Sequence, residues 1–409
     1  MTARYRWTVC ALLLVVTTIN YIDRQVLSIL APTLQHELHW SESQYGNMVS
    51  WFTLAYALGF LAVGRWLDRV GVRRGFAVAI VVWSVAAIGN AFARTAAGFS
   101  AARALLGLGE SANFPGAIKA VAEWFPTRER ALATGIFNAG TNTGAILAPL
   151  LVPWIALRWG WPWAFIATGA LGLVWLGLWL VLYRDPAMRQ PEAMTNTVPW
   201  IRLLGLRQTW AFAVGKLMAD PIWWFYLYWL PKFLDTKYGI HLTQLALPLI
   251  VVYLVADVGS IAGGWLSSSL IKRGWTVNRA RKTALLVMAC LIVPTAFAPL
   301  SGSVWTAVAI VSIAVAAHQA WSANVYTLAS DMFPQSVVGS VVGIGACAGA
   351  AGGWLFQRAT GQILERNGSN YAPIFVVCGL AYVSAWCIIH LLAPRLQPAA
   401  VSESPPVRA

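Results

Sequence analysis

Charge is what this sequence most conspicuously lacks. Only 11% of its 409 residues are Asp, Glu, Lys or Arg, against about 25% in a soluble domain. Acidic residues are scarcest, with 15 Asp and Glu facing 29 Lys and Arg. Cysteine is sparse too. Cys10, Cys290, Cys347, Cys378 and Cys387 all sit in apolar runs without metal-ligand spacing. That excludes a zinc or disulfide framework and leaves them as small buried hydrophobes. There is no phosphate-binding loop, no nucleophile motif and no connection long enough to hold a soluble sensor domain, which argues against an enzyme or a receptor. No basic stripe interleaved with aromatics marks a nucleic-acid partner, and nothing asks for a cofactor.

Apolar residues are abundant, at 58%, and they are not scattered. They fall in runs of about 20 or more, enough to cross a hydrocarbon core of roughly 30 Å as helix. Backbone groups in lipid must be satisfied within the segment, so the runs are helices; a barrel would show alternating stretches of about 10 residues. The expected spans are 7–34, 45–67, 75–95, 98–122, 131–156, 162–183, 209–234, 243–267, 283–300, 303–330, 337–363 and 371–394. The first follows Arg4 and Arg6 without a small-residue cleavage site and is expected to be retained. Residues 184–208 form the longest connection and contain Pro186, Pro191 and Pro199. They divide the chain into halves at 1–183 and 209–394, and 395–409 reads as a disordered tail.

The basic residues report orientation. With the N-terminus in the cytoplasm, 19 lie in loops on that side, 5 on the other and 5 within spans. This asymmetry places both termini inside and explains the formal charge of +14 as topology. Many of the 23 tryptophans cluster near span ends, including Trp154, Trp159, Trp161 and Trp163, then Trp223, Trp224 and Trp229. Interfacial anchoring is the default role there.

Between spans two and three stands Gly64-Arg65-Trp66-Leu67-Asp68-Arg69-Val70-Gly71-Val72-Arg73-Arg74. This resembles the GxLxDRxGxRR loop of the major facilitator superfamily, at the position that superfamily requires. The resemblance implies a cytoplasmic gating latch in which Gly64, Asp68, Arg69, Gly71 and Arg73 take part. The corresponding loop of the second half, Gly263-Gly264-Trp265-Leu266-Ser267-Ser268-Ser269-Leu270-Ile271-Lys272-Arg273-Gly274, has Ser268 where the acid should stand, so its latch is expected to be weaker. Further blocks narrow the family: Asn20-Tyr21-Ile22-Asp23-Arg24, the stretch from Arg103 to Pro115, Glu123 to Arg130, and Phe137 to Gly144. Together these resemble the anion:cation symporter branch, which moves sugar acids and other organic anions with protons or sodium. His318-Gln319-Ala320-Trp321-Ser322 and Ser330-Asp331-Met332-Phe333-Pro334 resemble hexuronate transporters most.

Charges inside spans are rare and expensive, so each is a functional candidate. Asn20, Tyr21, Asp23 and Arg24 fall within little more than one turn and make a polar ring on span one. The Arg24 guanidinium matches a carboxylate with a planar fork of donors but cannot release its proton. Asp23 is titratable. The two read as an anion clamp beside a proton acceptor. Arg103 and Glu110 are seven apart on one face of span four. By resemblance Glu110 is a second proton-coupling carboxylate with Arg103 as its partner, and Tyr56 in span two is a substrate-contacting tyrosine. Asn138, Thr141 and Asn142 share a face of span five, and Thr141 replaces a longer amide of some relatives, which implies a roomier pocket. Gly140 and Gly144 read as a helix-packing pair. Lys216 and Asp220 are spaced i,i+4 for an internal ion pair, and Pro221 is expected to kink or break the helix beside them. His318, Gln319, Trp321 and Asn324 offer donors, acceptors and an indole for a sugar, and Asp257 adds an acid to span eight.

The expectation is an all-α membrane protein of twelve helices in two pseudo-symmetric six-helix halves. The resemblance implies proton-coupled uptake of a carboxylated sugar, most plausibly a hexuronate, in the bacterial inner membrane. Tyr21, Arg24, Tyr56, Thr141, Asn142, His318, Gln319, Trp321 and Asn324 would hold the substrate. Another organic anion, such as an aldonate, aldarate, tartrate or aromatic acid, is the rival cargo. Antiporters carry a proline signature in span five that is absent here, which favours import. The expected partners are a small organic anion and the lipid bilayer, with H+ as coupling ion, no nucleic acid and a monomeric chain.

Overall fold

The computed structural model describes residues 3–125, 127–184 and 199–399. Among them every element is helical. The first group is α1 (Ala3–Leu38), α2 (Glu42–Val70), α3 (Val72–Phe92), α4 (Ala96–Glu110), α5 (Asn113–Trp124), α6 (Thr127–Trp159) and α7 (Trp161–Leu182). After the short α8 (Trp200–Leu204) come α9 (Arg207–Tyr238), α10 (Ala246–Lys272) and α11 (Val277–Ile292), which continues as a 3-10 turn through Val293–Leu300. Last are α12 (Val304–Met332), α13 (Gln335–Arg366) and α14 (Ala372–Leu392).

All twelve expected segments occur as helix. Ten are long and apolar enough to cross a membrane. The other two are α4–α5, which is broken, and α9, which carries Lys216, Asp220, Lys232 and Asp235 along its length. The break in the fourth segment, which was expected to be one helix, falls at Ser111–Ala112. Pro115 has no N–H for the carbonyl four residues back, and its ring crowds that turn. The Ser111 hydroxyl folds back onto Leu108 O at 2.7 Å instead. Pro294 and Pro299 tighten the end of the ninth segment into 3-10 geometry in the same way. Pro221 behaves otherwise: α9 runs uninterrupted through it and through Pro231. The first residues of the expected tail are also held, with Leu396 N donating to Asn278 at 3.1 Å and Ala399 N to Met332 O at 2.7 Å.

Chain direction alternates, so every other connection lies on the face opposite the N-terminus, here the far face. Helices α1–α7 pack chiefly on one another, as do α9–α14, and the two sets meet along α2–α13, α6–α10 and α1–α9. The α2–α13 seam is tightest at the far face. A Cβ on Gly46 would lie 2.9 Å from Gln357 O and from Gly361 Cα, so only glycine permits that crossing. Polar bonds fasten it. Lys232 of α9 pairs with Glu42 of α2. Glu365 accepts from Ser43 N at 3.0 Å and Ser41 Oγ at 3.3 Å. Tyr45 donates to Tyr228 O of α9 at 2.6 Å. Among the described residues, the hydrogen bonds joining the two sets lie at the far face, apart from one at mid-depth between α6 and α10.

The loop from Gly64 to Arg74, for which a gating latch was expected, is described in part. The side chains of Gly64, Arg65 and Asp68 lie outside the described residues. Gly71 ends α2 and begins α3 at φ +85°, a conformation side chains resist. Arg69 is exposed, and Arg73 donates to Leu180 O at 2.6 Å. In the second half Arg281 of α11 binds Asp331 of α12 at 3.1 Å and Ser267 of α10 at 2.8 Å.

Trp154, Trp159 and Trp163 are about half exposed at the far face, as interfacial anchors should be, whereas Trp161 is buried. Trp229 is fully buried, and Trp223 and Trp224 are partly covered by helix neighbours at mid-depth, which overturns the anchoring role expected for those three.

Replacing Gly46 by Leu should keep the far seam from closing. Overpacking of this kind costs about 1–3 kcal/mol, a shift toward the opened seam of roughly 5- to 150-fold. A cysteine placed at Ser43 should then react faster with a membrane-impermeant maleimide added at the far face; an unchanged rate would mean that closure does not depend on this crossing.

Candidate functional site

The charged residues of α1 and α4 meet at mid-depth. Two neighbours on a helix point about 100° apart, so Asp23 and Arg24 diverge rather than pair. Arg24 crosses to α4, where its Nε donates to Glu110 at 2.6 Å, with both side chains buried. Tyr21, Phe52, Tyr56 and Trp224 box the guanidinium, with ring centres 4.8, 5.4, 4.5 and 5.9 Å from Cζ. Such faces attract a cation without taking its hydrogen bonds. Arg103 lies above, its Cζ 4.6 Å from the Phe52 ring and its Nη2 donating to Arg24 O at 3.5 Å. It does not contact Glu110, so the expected Arg103–Glu110 partnership gives way to Arg24–Glu110. The seven-residue rise along α4 separates the first pair, and the adjacent helix supplies a nearer cation.

Three donors of this cluster have no partner although they are buried: Arg24 Nη2, and Arg103 Nε and Nη1. Glu110 Oε1 and both oxygens of Asp23 likewise lack a hydrogen bond of ordinary length, although Asn20 lies within reach of Glu110. Asp23 faces away from the aromatic box, within reach of Thr168 on α7. Buried polar groups are normally satisfied, so a cluster holding both spare donors and spare acceptors is arranged for something besides its own folding.

The other expected residues divide. Gly140 and Gly144 press α6 onto α1, as expected. Thr141 is buried and returns its hydroxyl to Asn138 O at 2.8 Å. Asn142 donates its amide to Asp257 of α10, linking the two sets of helices at mid-depth. Lys216 pairs with Asp220 at 2.9 Å and donates to the half-exposed Tyr326 at 3.1 Å. Tyr326 lies within electrostatic reach of Tyr21 and Tyr56. Of the α12 group, Gln319 is half-buried, and His318 stacks on Trp223 with ring centres 5.4 Å apart. Trp321 is sealed against Tyr382, and Asn324 ties α12 to Gly263 O of α10 at 3.0 Å, so neither reaches open space.

Sequence reasoning missed Phe52, Trp224, Tyr326 and Tyr382. Aromatic residues on apolar helices carry no periodic signal that separates a cation's cage from ordinary packing. The one available sign was the density of aromatics from Trp223 to Trp229.

The sequence matches the profile of the Major Facilitator Superfamily over residues 13–357. The chain belongs to the Major Facilitator Superfamily. It is similar to the hexuronate transporter of Escherichia coli K12, 31% identical over 392 residues that cover 91% of this chain and 90% of that protein. It is also similar to the galacturonate transporter of Dickeya chrysanthemi, 32% identical over 309 residues covering 70% and 89%. The D-galactonate transporter of Escherichia coli O6:H1 is 27% identical over 424 positions, covering 95% of each. Among solved structures, the D-xylose-proton symporter superposes with a TM-score of 0.78 at 17% identity, covering 96% and 99% of the two chains. A bacterial homologue of the human lysosomal transporter Spinster, inward-facing and occupied, gives 0.76 at 19% identity, covering 96% of each. These last two share the fold. This major facilitator protein is therefore a multi-pass membrane transporter and not an enzyme, and the resemblance read from its gating loop and span-four blocks was correct.

The Asn142–Asp257 bond joins elements that a major facilitator protein moves against each other. Asn142→Ala and Asp257→Ala should therefore be non-additive in initial transport rate, with a coupling of about 0.5–3 kcal/mol. Additive losses would mean that the contact plays no part in the cycle.

Proposed function

We propose that this chain imports a carboxylated sugar, a hexuronate such as glucuronate or galacturonate, together with a proton across the bacterial inner membrane. The observation that carries the reading is the set of buried, unpartnered guanidinium donors on Arg24 and Arg103 beside the Glu110 carboxylate. An oxyanion is the ligand such donors lack, and Arg presents them in the fork a carboxylate fits. The matched relatives named for hexuronate and galacturonate support the cargo.

The mechanism follows from charge balance. In the empty site Glu110 neutralises Arg24. The site as a whole sets two guanidiniums, Arg24 and Arg103, against two carboxyls, Glu110 and Asp23, so with all four charged a substrate carboxylate on Arg24 adds a net negative charge where charge is costly. A proton on Glu110 restores the balance, so anion and proton enter together. Arg24 keeps its charge throughout. Asp23, also buried and unpaired, is the second proton acceptor, and Arg103 biases the site toward the anion. Tyr21, Tyr56 and Gln319 face the sugar hydroxyls and ring. Residues 1–183 and 209–394 then rock as two halves about this midplane site, joined by residues 184–208. The far face is the periplasmic one by the positive-inside rule, so the fastened α2–α13 seam lies on that side. An aldonate is the second reading, in line with the galactonate relative.

Purified chain in proteoliposomes should accumulate glucuronate or galacturonate under an inward pH gradient, with sodium dispensable. No uptake from a panel of hexuronates and aldonates would sink the proposal. Arg24→Ala leaves Glu110 buried without its cation, a loss of about 3–5 kcal/mol, and should abolish substrate binding; a truncated variant that still binds the acid would place the carboxylate elsewhere. Glu110→Gln should end gradient-driven accumulation while sparing exchange of substrate across the membrane, and intact accumulation would remove Glu110 from coupling.

A further inference from the structure

His318 lies at the midpoint of α12, in the second half and away from the charged cluster. Its Nδ1 stands 2.5 Å from the Tyr382 hydroxyl of α14. That hydroxyl also lies 3.2 Å from Ala219 O of α9. A carbonyl only accepts, so a Tyr382 hydroxyl proton that goes to Ala219 O leaves the Tyr382 oxygen to accept from His318 Nδ1–H. Neutral imidazole carries one N–H, so in that arrangement Nε2 is left with a lone pair and no proton.

Among the described residues Nε2 has no hydrogen-bond partner, and the residue as a whole is only 4% exposed. The ring itself is held. Trp223 stacks on it with planes 5° apart, and Tyr382 meets it edge-on at 83° while its own ring is braced by Trp321 at 87°. A half-turn flip would cost the Tyr382 bond.

We propose that His318 reads a substrate hydroxyl through Nε2 as a fixed acceptor, and that Tyr382, held by Ala219 O, is the positioning residue that fixes its tautomer. The assignment rests on the sugar-acid reading above and sharpens it. The N-terminal half takes the carboxylate, and the C-terminal half tests for an O–H donor at one position of the sugar. A ligand with an ether or a bare methylene there leaves Nε2 unsatisfied, and an unmet buried acceptor costs about 1–3 kcal/mol, or 5- to 150-fold in affinity.

The test has two arms on the full-length protein. The first is the 15N spectrum of histidine-labelled protein, with the His318 signals assigned by their loss in His318→Ala. Protonated Nδ1 and unprotonated Nε2 are expected, with the preference lost in Tyr382→Phe; a protonated Nε2 in the parent protein overturns the proposal whatever is transported. The second compares binding of the transported sugar acid with its singly deoxygenated analogues. One analogue should bind the parent protein at least fivefold more weakly. His318→Ala should weaken the full substrate by a like factor while leaving that analogue unchanged, and His318→Gln, which keeps an acceptor oxygen, should recover part of the loss. An equal loss for every analogue would make His318 a packing residue and overturn the reading. Failure of the parent protein to bind any sugar acid would instead overturn the cargo assignment, a result visible before any variant is made.

Discussion

The buried bond between Arg24 and Glu110 is the interaction on which the rest of the site depends. Neither charge can remain in a low-dielectric interior alone. Each therefore fixes the other, and together they fix α1 against α4 at mid-depth. The aromatic box of Tyr21, Phe52, Tyr56 and Trp224 follows from the same constraint, since a guanidinium out of water still gains from ring faces where no further acceptor is offered. Three of those rings come from α1 and α2 and one from α9. The cation's surroundings thus reach across the seam between the two sets of helices, and a change in its partner is felt where they meet.

The far-face seam and the mid-depth site form one mechanical arrangement. Glycines at 46 and 361 bring two backbones into contact, and the polar bonds around Glu42, Lys232 and Glu365 fasten that contact. Below it, cross-set bonding thins to Asn142–Asp257. A seam bonded at one end and loosely held at the other is what rigid halves pivoting about a central ligand require. Division of chemical labour follows the same line. The Arg24–Glu110 ion pair sits with α1 and α4, while the contact of His318 with Tyr382 sits with α12 and α14.

Much of the fold was legible. Apolar runs of spanning length, basic residues crowded on alternate connections, and the loop from Gly64 to Arg74 are local properties, and each pointed to the same twelve-segment plan. Local chemistry also foretold the Lys216–Asp220 pair, because i,i+4 spacing on one helix leaves little to chance. The unbroken course of α9 through Pro221 was not legible. A kink is a helix property, but its extent is decided by the neighbours that close around it, here Gly352 of α13 at the proline ring.

Pairing between helices is where the sequence falls silent. It showed that Asp23, Arg24, Arg103 and Glu110 are charges the membrane would not tolerate idle, and that determination stands. It could not show that Arg24 turns to Glu110 and Asp23 turns away, because adjacent residues diverge around a helix and the partner lies 86 positions along the chain. Nor could it show that Arg281 of α11 meets Asp331 of α12, or that His318 meets Tyr382 of α14. Residue type determined which groups must find partners. Only the crossing of helices distant in sequence decided which partners they found, because hydrogen bonds and ion pairs act over a few ångströms and those distances exist only in the packed chain.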